Sequence, residues 1–317
     1  MIRALICLTL VTTPWSDTPA QERPQLGPGN HTITLVHGGR ERRYRVHVPH
    51  GGSGARPVML AFHGGGGNAA QLQRSAGLDR VADREGFLAV YPDGTGPVSG
   101  RLLTWNAGSC CGRAVLERVN DVAFVRALVA DLARRAVVDS SRIYATGHSN
   151  GAMMAYRLAV EAGDLVAAIV PVGGGMVVAE FRPSRPIPLL HIHSVDDPRA
   201  LYDGGLGPPF PSTDHRVDHP NIPAVLRRWA EFNGCRETAR ELRSVRGRSG
   251  SESDGHTATR LDYGPCRGAP VEHWRLTGAG HGWPGASGPG LERIIGPRTD
   301  VIQAAEEVWR FVSGFRR

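Results

Sequence analysis

The stretch Arg142-Ile143-Tyr144-Ala145-Thr146-Gly147-His148-Ser149-Asn150-Gly151, followed by apolar residues at helical spacing from Ala152 to Ala162, decides how the chain folds. It reads as a short strand, a tight turn with a serine at its tip, and a helix, the layout of a nucleophile elbow. The two glycines have a physical reason. A serine on such a turn projects from the sheet only if the residues two positions either side bring no Cβ against the neighbouring strand or helix. The helix start then places the Asn150 backbone N–H, at the positive end of a dipole, where a developing oxyanion would sit. With 41 glycines in 317 residues the pentapeptide is weak by itself, and it also describes a glycine-rich turn with a solvent-facing serine. Its weight depends on a base, an orienting acid and a second donor elsewhere in the chain.

Outward from the elbow, apolar runs alternate with helical spacing. Val58 to Phe62 is a continuous apolar run before a glycine cluster, as in a buried parallel strand. Ala69 to Arg84 has helical spacing, Phe87 to Tyr91 a short strand, and Asp121 to Arg135 an amphipathic helix. After the elbow come strands Leu165 to Val172 and Leu189 to His193, an irregular stretch Arg199 to Asn221 placed to cap the site, and a helix Ala224 to Asn233. His273 to Leu276 reads as a late strand, and Val301 to Phe311 as a final helix with Asp300 as its N-cap. Thr32 to Val36 and Tyr44 to Val48 form an opening β-hairpin. The alternation predicts an α/β fold: a mainly parallel sheet with helices on both faces and an N-terminal antiparallel hairpin, spanning residues 31–317 as a single domain.

In such sheets, chemistry gathers at the carboxyl ends of the strands. Ser149 follows one strand, Asp196 and Asp197 a second, His281 a third, and His63 with Gly64 to Gly67 a fourth. The order Ser, Asp, His is that of an α/β-hydrolase triad. A serine hydroxyl needs a base to take its proton, and His281 is that base. An aspartate holds the imidazole in the right tautomer; Asp196 and Asp197 are adjacent, and spacing does not separate them. The glycine run lets a backbone N–H approach the intermediate opposite Asn150. His63 reads as a brace for that run and Asp121 as a helix-start acid. Trp283, two residues beyond His281, and Trp105 are candidates for lining the acyl or alcohol pocket, with ordinary packing as the alternative.

Taken together, His63-Gly-Gly-Gly-Gly-Asn68, Trp105-Asn-Ala-Gly-Ser-Cys-Cys111, Gly147 to Met154, Asp197-Pro198 with Tyr202-Asp-Gly-Gly205, and Gly280-His-Gly-Trp-Pro-Gly285 resemble the secreted polyhydroxybutyrate depolymerase-type esterases, a group that includes feruloyl and acetylxylan esterases. The resemblance runs from about Thr32 to Val312. It implies Ser149, Asp197 and His281 as the triad, with Asp196 as fallback, and the backbone N–H groups of Gly65 and Asn150 as the oxyanion hole. It implies no metal or organic cofactor, and an ester substrate: a polyester oligomer or an esterified polysaccharide. Two features depart from the pattern. Many polymer depolymerases carry cysteine where Gly65 stands, and most larger ones add a linker and a polymer-binding domain. The expectation therefore leans to smaller or soluble esters. The alternatives are a serine peptidase on the same fold, or a catalytically silent carbohydrate- or polymer-binding protein.

Bulk properties fit an exported globular enzyme. Hydrophobic residues make up 41%, enough for a sizeable core. All 37 basic residues are arginine, scattered along the chain and usually near an acid, so the net charge of +7 predicts no nucleic-acid partner. No obligate protein partner is evident. Residues 1–20 combine a positive start with an apolar run of about eight residues, too short to span a bilayer, and read as a secretory signal. Residues 21–30 read as a linker. Of the remaining cysteines, Cys235 and Cys266 are expected to pair, closing an arginine- and serine-rich excursion. Cys110 and Cys111 would then form a vicinal bridge, which the short spacing of adjacent residues makes costly.

Overall fold

The computed structural model describes residues 25–52, 54–209, 216–288 and 292–317. At its centre are five strands that run parallel. β3 (Arg56–Phe62) lies between β4 (Leu88–Pro92) and β5 (Val138–His148), and β6 (Ala168–Val172) and β7 (Leu189–Ser194) follow on the β5 side. β1 (Gly29–His37) and β2 (Arg40–Val48) form the expected hairpin and join antiparallel at β4. On the far side β12 (Val271–Thr277) continues the parallel run beside β7, and β11 (Thr257–Asp262) and β10 (Arg240–Arg246) close the ten-stranded sheet antiparallel.

Side-chain alternation divides the central strands between two cores. Leu60 and Phe62 point to one, with α4 (Asp121–Ala133), α5 (Asn150–Glu161) and α6 (Ile222–Phe232). Met59 and Ala61 point to the other, with α1 (Ala69–Ala76), α2 (Leu78–Glu85) and α8 (Ala304–Val312). Two short helices, α3 (Gly112–Leu116) and α7 (Glu292–Ile295), lie in loops. The capping stretch holds a two-stranded ribbon, β8 (Gly205–Leu206) with β9 (Asp218–His219). Among the described residues no helix is long and apolar enough to cross a membrane. The signal expected over 1–20 lies outside the described residues, as do 21–24 of the expected linker.

Several expectations are corrected. The helix expected from Ala69 to Arg84 is two helices, because Gly77 takes the left-handed region (φ 74°) and ends the first. Residues 29–30 of the expected linker pair with Val48 and His47 in β1, and the Leu26 N–H donates to Arg135 O at 2.8 Å. The last helix starts at Ala304 with Gln303 as its cap. The Asp300 carboxylate is engaged elsewhere, accepting from the Ser253 hydroxyl. Asp121 opens α4 as expected, and it is fully buried there, pairing with Arg42 at 2.8 Å and accepting the Asn106 N–H at 2.9 Å. Burial raises its pKa despite Arg42 beside it.

The excursion between Cys235 and Cys266 is the β10–β11 hairpin. Its strand character is hidden because β10 is the sheet edge, with all but one of its seven residues exposed. Arginines spaced along such an edge discourage pairing with another chain, and they erase the apolar alternation that marks a strand. The Cys235–Cys266 bridge ties the turn after α6 to the loop between β11 and β12 across 31 residues. A closed loop of that length implies about 3–4 kcal/mol of stability. The double variant Cys235→Ser/Cys266→Ser is expected to lose that amount in urea unfolding; an unchanged midpoint would mean the hairpin is held by its strand pairing alone.

Candidate active site

The elbow forms where β5 turns into α5. Ser149 adopts φ 58° and ψ −119°, a conformation that costs a non-glycine residue of order 1–3 kcal/mol. Its surroundings over-determine it. A Cβ at Gly147 would strike the Gly151 backbone, and one at Gly151 would strike the carbonyl oxygens of Phe62 and His63, so both positions must be bare for α5 to lie against β3. The Ser149 N–H donates to Val172 O at 2.9 Å and its carbonyl accepts from Met153 N at 3.1 Å, locking the turn to β6 and to the helix.

His281 follows β12 in a loop tied to its neighbours by Gly280 N–H to Pro297 O (2.7 Å) and by the Ser194 hydroxyl to Ala279 O (2.6 Å). Its Nε2 lies 2.8 Å from Ser149 Oγ and its Nδ1 2.7 Å from Asp197 Oδ2. The other Asp197 oxygen accepts the N–H groups of Arg199 and Ala200, both at 2.8 Å. Burial works against charge on Asp197, but the imidazoles of His281 and His193 facing it hold its carboxyl well below the usual range. The pair that spacing left open is separated here. Asp196 turns away from the imidazole, and its Oδ2 accepts the Gly278 N–H at 2.6 Å. His148 packs beside His281 with ring centroids 4.8 Å apart; burial foremost, and then His281, lowers its pKa to about 3, so it stays neutral.

The glycine loop after β3 passes the serine. A Cβ on Gly64 would lie 3.4 Å from the Ser149 Cβ. Within the loop the Gly66 and Gly67 N–H groups are used on Leu103 O (2.8 Å) and Gly64 O (3.0 Å). His63 braces it: Nδ1 meets Gly64 O at 2.8 Å and Nε2 accepts the Gly94 N–H at 3.0 Å, with the pKa lowered to about 4 chiefly by burial.

The two tryptophans expected at the pocket are placed differently. Trp105 has no exposed surface; its indole N–H donates to His63 O at 3.0 Å and its ring meets Phe62 edge-on. It supports the loop from below and presents nothing to a ligand. Trp283 is 6% exposed and packs in the core under α1, α2 and α8, with no acceptor at its indole nitrogen among the described residues. The Cys110 and Cys111 sulfurs are paired, and this loop lies against Asn150. Among the described residues no group of three or more His, Cys, Asp or Glu is arranged to hold a metal ion.

Sequence reading missed the Asn150 side chain. Its Oδ1 accepts the Trp105 N–H at 2.7 Å and its Nδ2 donates to Trp105 O at 3.1 Å, clamping one backbone segment at both polar groups. It also missed the histidines behind Asp197; the alternation Leu189-Leu190-His191-Ile192-His193 in an otherwise apolar strand was the available signal.

A ten-stranded, mainly parallel sheet carrying a serine elbow at the end of β5 is the α/β-hydrolase fold. A solved thermostable esterase shares the fold, with a TM-score of 0.53 at 17% identity over 91% of this chain and 63% of that one. The family model described as esterase PHB depolymerase matches residues 42–230, and the chain belongs to that family. Its relatives include a putative esterase, NocK, of Nocardia uniformis subsp. tsuyamanensis, 31% identical over 94% of this chain and 86% of that protein. Feruloyl esterase B of Piromyces equi is 29% identical over 61% of this chain, though the match spans only 36% of that longer protein. Poly(3-hydroxyalkanoate) depolymerase C of Paucimonas lemoignei is 27% identical over 78% of this chain and 60% of that one.

Asn150→Ala removes the clamp but keeps the residue 150 backbone. It leaves the buried Trp105 N–H unpaired, while Trp105 O keeps the Cys111 N–H at 3.0 Å, and is expected to cost about 1–3 kcal/mol in chemical denaturation. A loss under about 0.5 kcal/mol would show that water or the Cys110 loop replaces the amide.

Proposed function

We propose that this chain is a secreted serine hydrolase that cleaves carboxylic esters through an acyl-enzyme formed on Ser149. The observation that carries the reading is the unbroken line from Ser149 Oγ through His281 to Asp197, with hydrogen bonds of 2.8 and 2.7 Å. His281 Nε2 takes the seryl proton as Oγ attacks the ester carbonyl. Asp197, accepting from Nδ1, fixes the tautomer and stabilises the imidazolium. The oxyanion of the tetrahedral intermediate is held by the backbone N–H groups of Asn150, at the start of α5, and of Gly65, in the loop beside Ser149. Collapse of the intermediate expels the alcohol, which takes the proton from His281. Water then attacks the acyl-enzyme with the same imidazole as base, releasing the acid and free Ser149. No step requires a metal or organic cofactor.

The substrate classes that the relatives' names suggest are polyhydroxyalkanoate-type esters and feruloyl or acetyl esters of plant polysaccharides. Export rests on the N-terminal sequence pattern and agrees with the Cys235–Cys266 bridge, which suits an oxidising compartment.

Ser149→Ala is expected to abolish turnover with the fold intact, and an organophosphate is expected to label the wild-type chain stoichiometrically at Ser149. Full activity in the variant would sink the assignment. Asp197→Asn is expected to lower kcat by about 10⁴-fold, as loss of the tautomer-fixing acid does elsewhere. Asp196→Asn should lose less than about tenfold, since it only releases the Gly278 amide. Parallel assays on a short polyester, methyl ferulate and acetylated xylan would identify the acyl group.

A further inference from the structure

Behind Asp197, on the side away from Ser149, lies a line of polar side chains that the reaction above does not use. His191 and His193 project from the same face of β7, and Tyr156 comes down from α5 to meet them. Tyr156 and His191 have no exposed surface and His193 has 2%. Enclosing three polar groups is costly unless each is bonded, and each is. Tyr156 OH lies 3.0 Å from His191 Nδ1, and His191 Nε2 lies 3.0 Å from His193 Nδ1. His193 Nε2 reaches Ala200 O at 2.8 Å and Asp197 Oδ2 at 3.2 Å.

The partners set the direction of the chain. Ala200 O and the Asp197 carboxylate only accept, so His193 Nε2 carries a hydrogen. Asp197 Oδ2 is also the oxygen that faces His281. At the other end the Tyr156 hydroxyl has no acceptor but His191 Nδ1 among the described residues, so it donates there, His191 donates from Nε2 and His193 accepts at Nδ1. Burial disfavours a charge on His191.

A second tie reaches the same loop from the next strand. Tyr202, five residues beyond Asp197, lies 3.0 Å from His273 Nε2, and His273 Nδ1 lies 3.0 Å from His191 O. The loop that carries the acid is thus anchored to both β7 and β12, the strands that lead to the acid and to the base.

Building on the reading of Ser149, His281 and Asp197 as the reacting groups, we propose that Tyr156, His191 and His193 are positioning residues. Their one-way hydrogen-bond chain holds Asp197 Oδ2 against His281 Nδ1 and keeps His193 a donor to that oxygen.

Three variants test this, with Ser149 labelling of the wild type by an organophosphate as the control. His193→Leu removes the donor, whereas His193→Gln keeps an N–H that reaches the same acceptors. With the fold verified by circular dichroism, His193→Leu is expected to lose about 10–100-fold in kcat, as small misplacements of reacting groups do, with KM within about twofold. His193→Gln is expected to recover most of that loss. A folded His193→Leu with wild-type kcat, or a Gln variant as impaired as Leu, overturns the proposal. Should His193→Leu fail to fold, imidazole ¹⁵N resonances decide. His191 and His193 are both expected as neutral Nε2–H tautomers in the wild type, with His191 shifting toward the Nδ1–H form in Tyr156→Phe. A doubly protonated His193 or an Nδ1–H His191 in the wild type overturns the proposal. If the wild type is not labelled at Ser149, the underlying reading fails instead; a labelled wild type with an indifferent His193→Leu removes only the positioning role.

Discussion

The approach of α5 to β3 is the constraint on which the rest of the site depends. Phe62 and His63 end β3 with carbonyl oxygens where a side chain at residue 151 would lie, and residues 147 and 151 face each other across the turn. Glycine at both positions lets the helix start immediately after the strand, and that geometry forces Ser149 into its positive φ. With the turn made, Ser149 Oγ meets His281 Nε2 at 2.8 Å.

Everything else at the site is supported by groups that never reach it. Trp105 lies beneath the glycine loop, held from one side by the Asn150 amide and from the other by His63. Asp121, buried with Arg42, receives the Asn106 N–H next in the chain, so the opening hairpin and α4 also brace that segment. On the acid side, Asp197 spends one oxygen on two backbone N–H groups and the other on two imidazoles. Preorganisation of this kind concentrates polar groups in the core just behind the strand ends, where the low dielectric makes each hydrogen bond matter more.

Much of the fold was legible in local pattern. The continuous apolar run of β3 announces a strand buried on both faces, and the elbow, the glycine loop and the Gly280-His281-Gly282 segment stand out by composition at strand ends. Where the pattern failed, the cause was local. Gly77 breaks a helix whose apolar spacing runs through it, since one left-handed residue does not disturb the periodicity on either side. The charged face of β10 hides a strand whose pairing depends on β11. Asp300 has the chemistry of a cap but finds Ser253, a partner 47 residues away in the chain.

The sequence by itself determined the fold class, the serine at the tip of the turn and the glycine-flanked histidine after the last parallel strand, because each depends on residues within a few positions of one another. Spacing left Asp196 and Asp197 equivalent and the resemblance favoured Asp197; the tertiary structure turns Asp197, and not Asp196, to His281. The two carboxylates diverge only because one turns to the Gly278 amide and the other to His281, both brought there by β12. The tertiary structure alone moved Trp105 from the pocket to the brace beneath it and linked the alternating histidines of β7 to the acid. Those are contacts across β3, α5 and β12, and no local pattern encodes which strand end a side chain will meet.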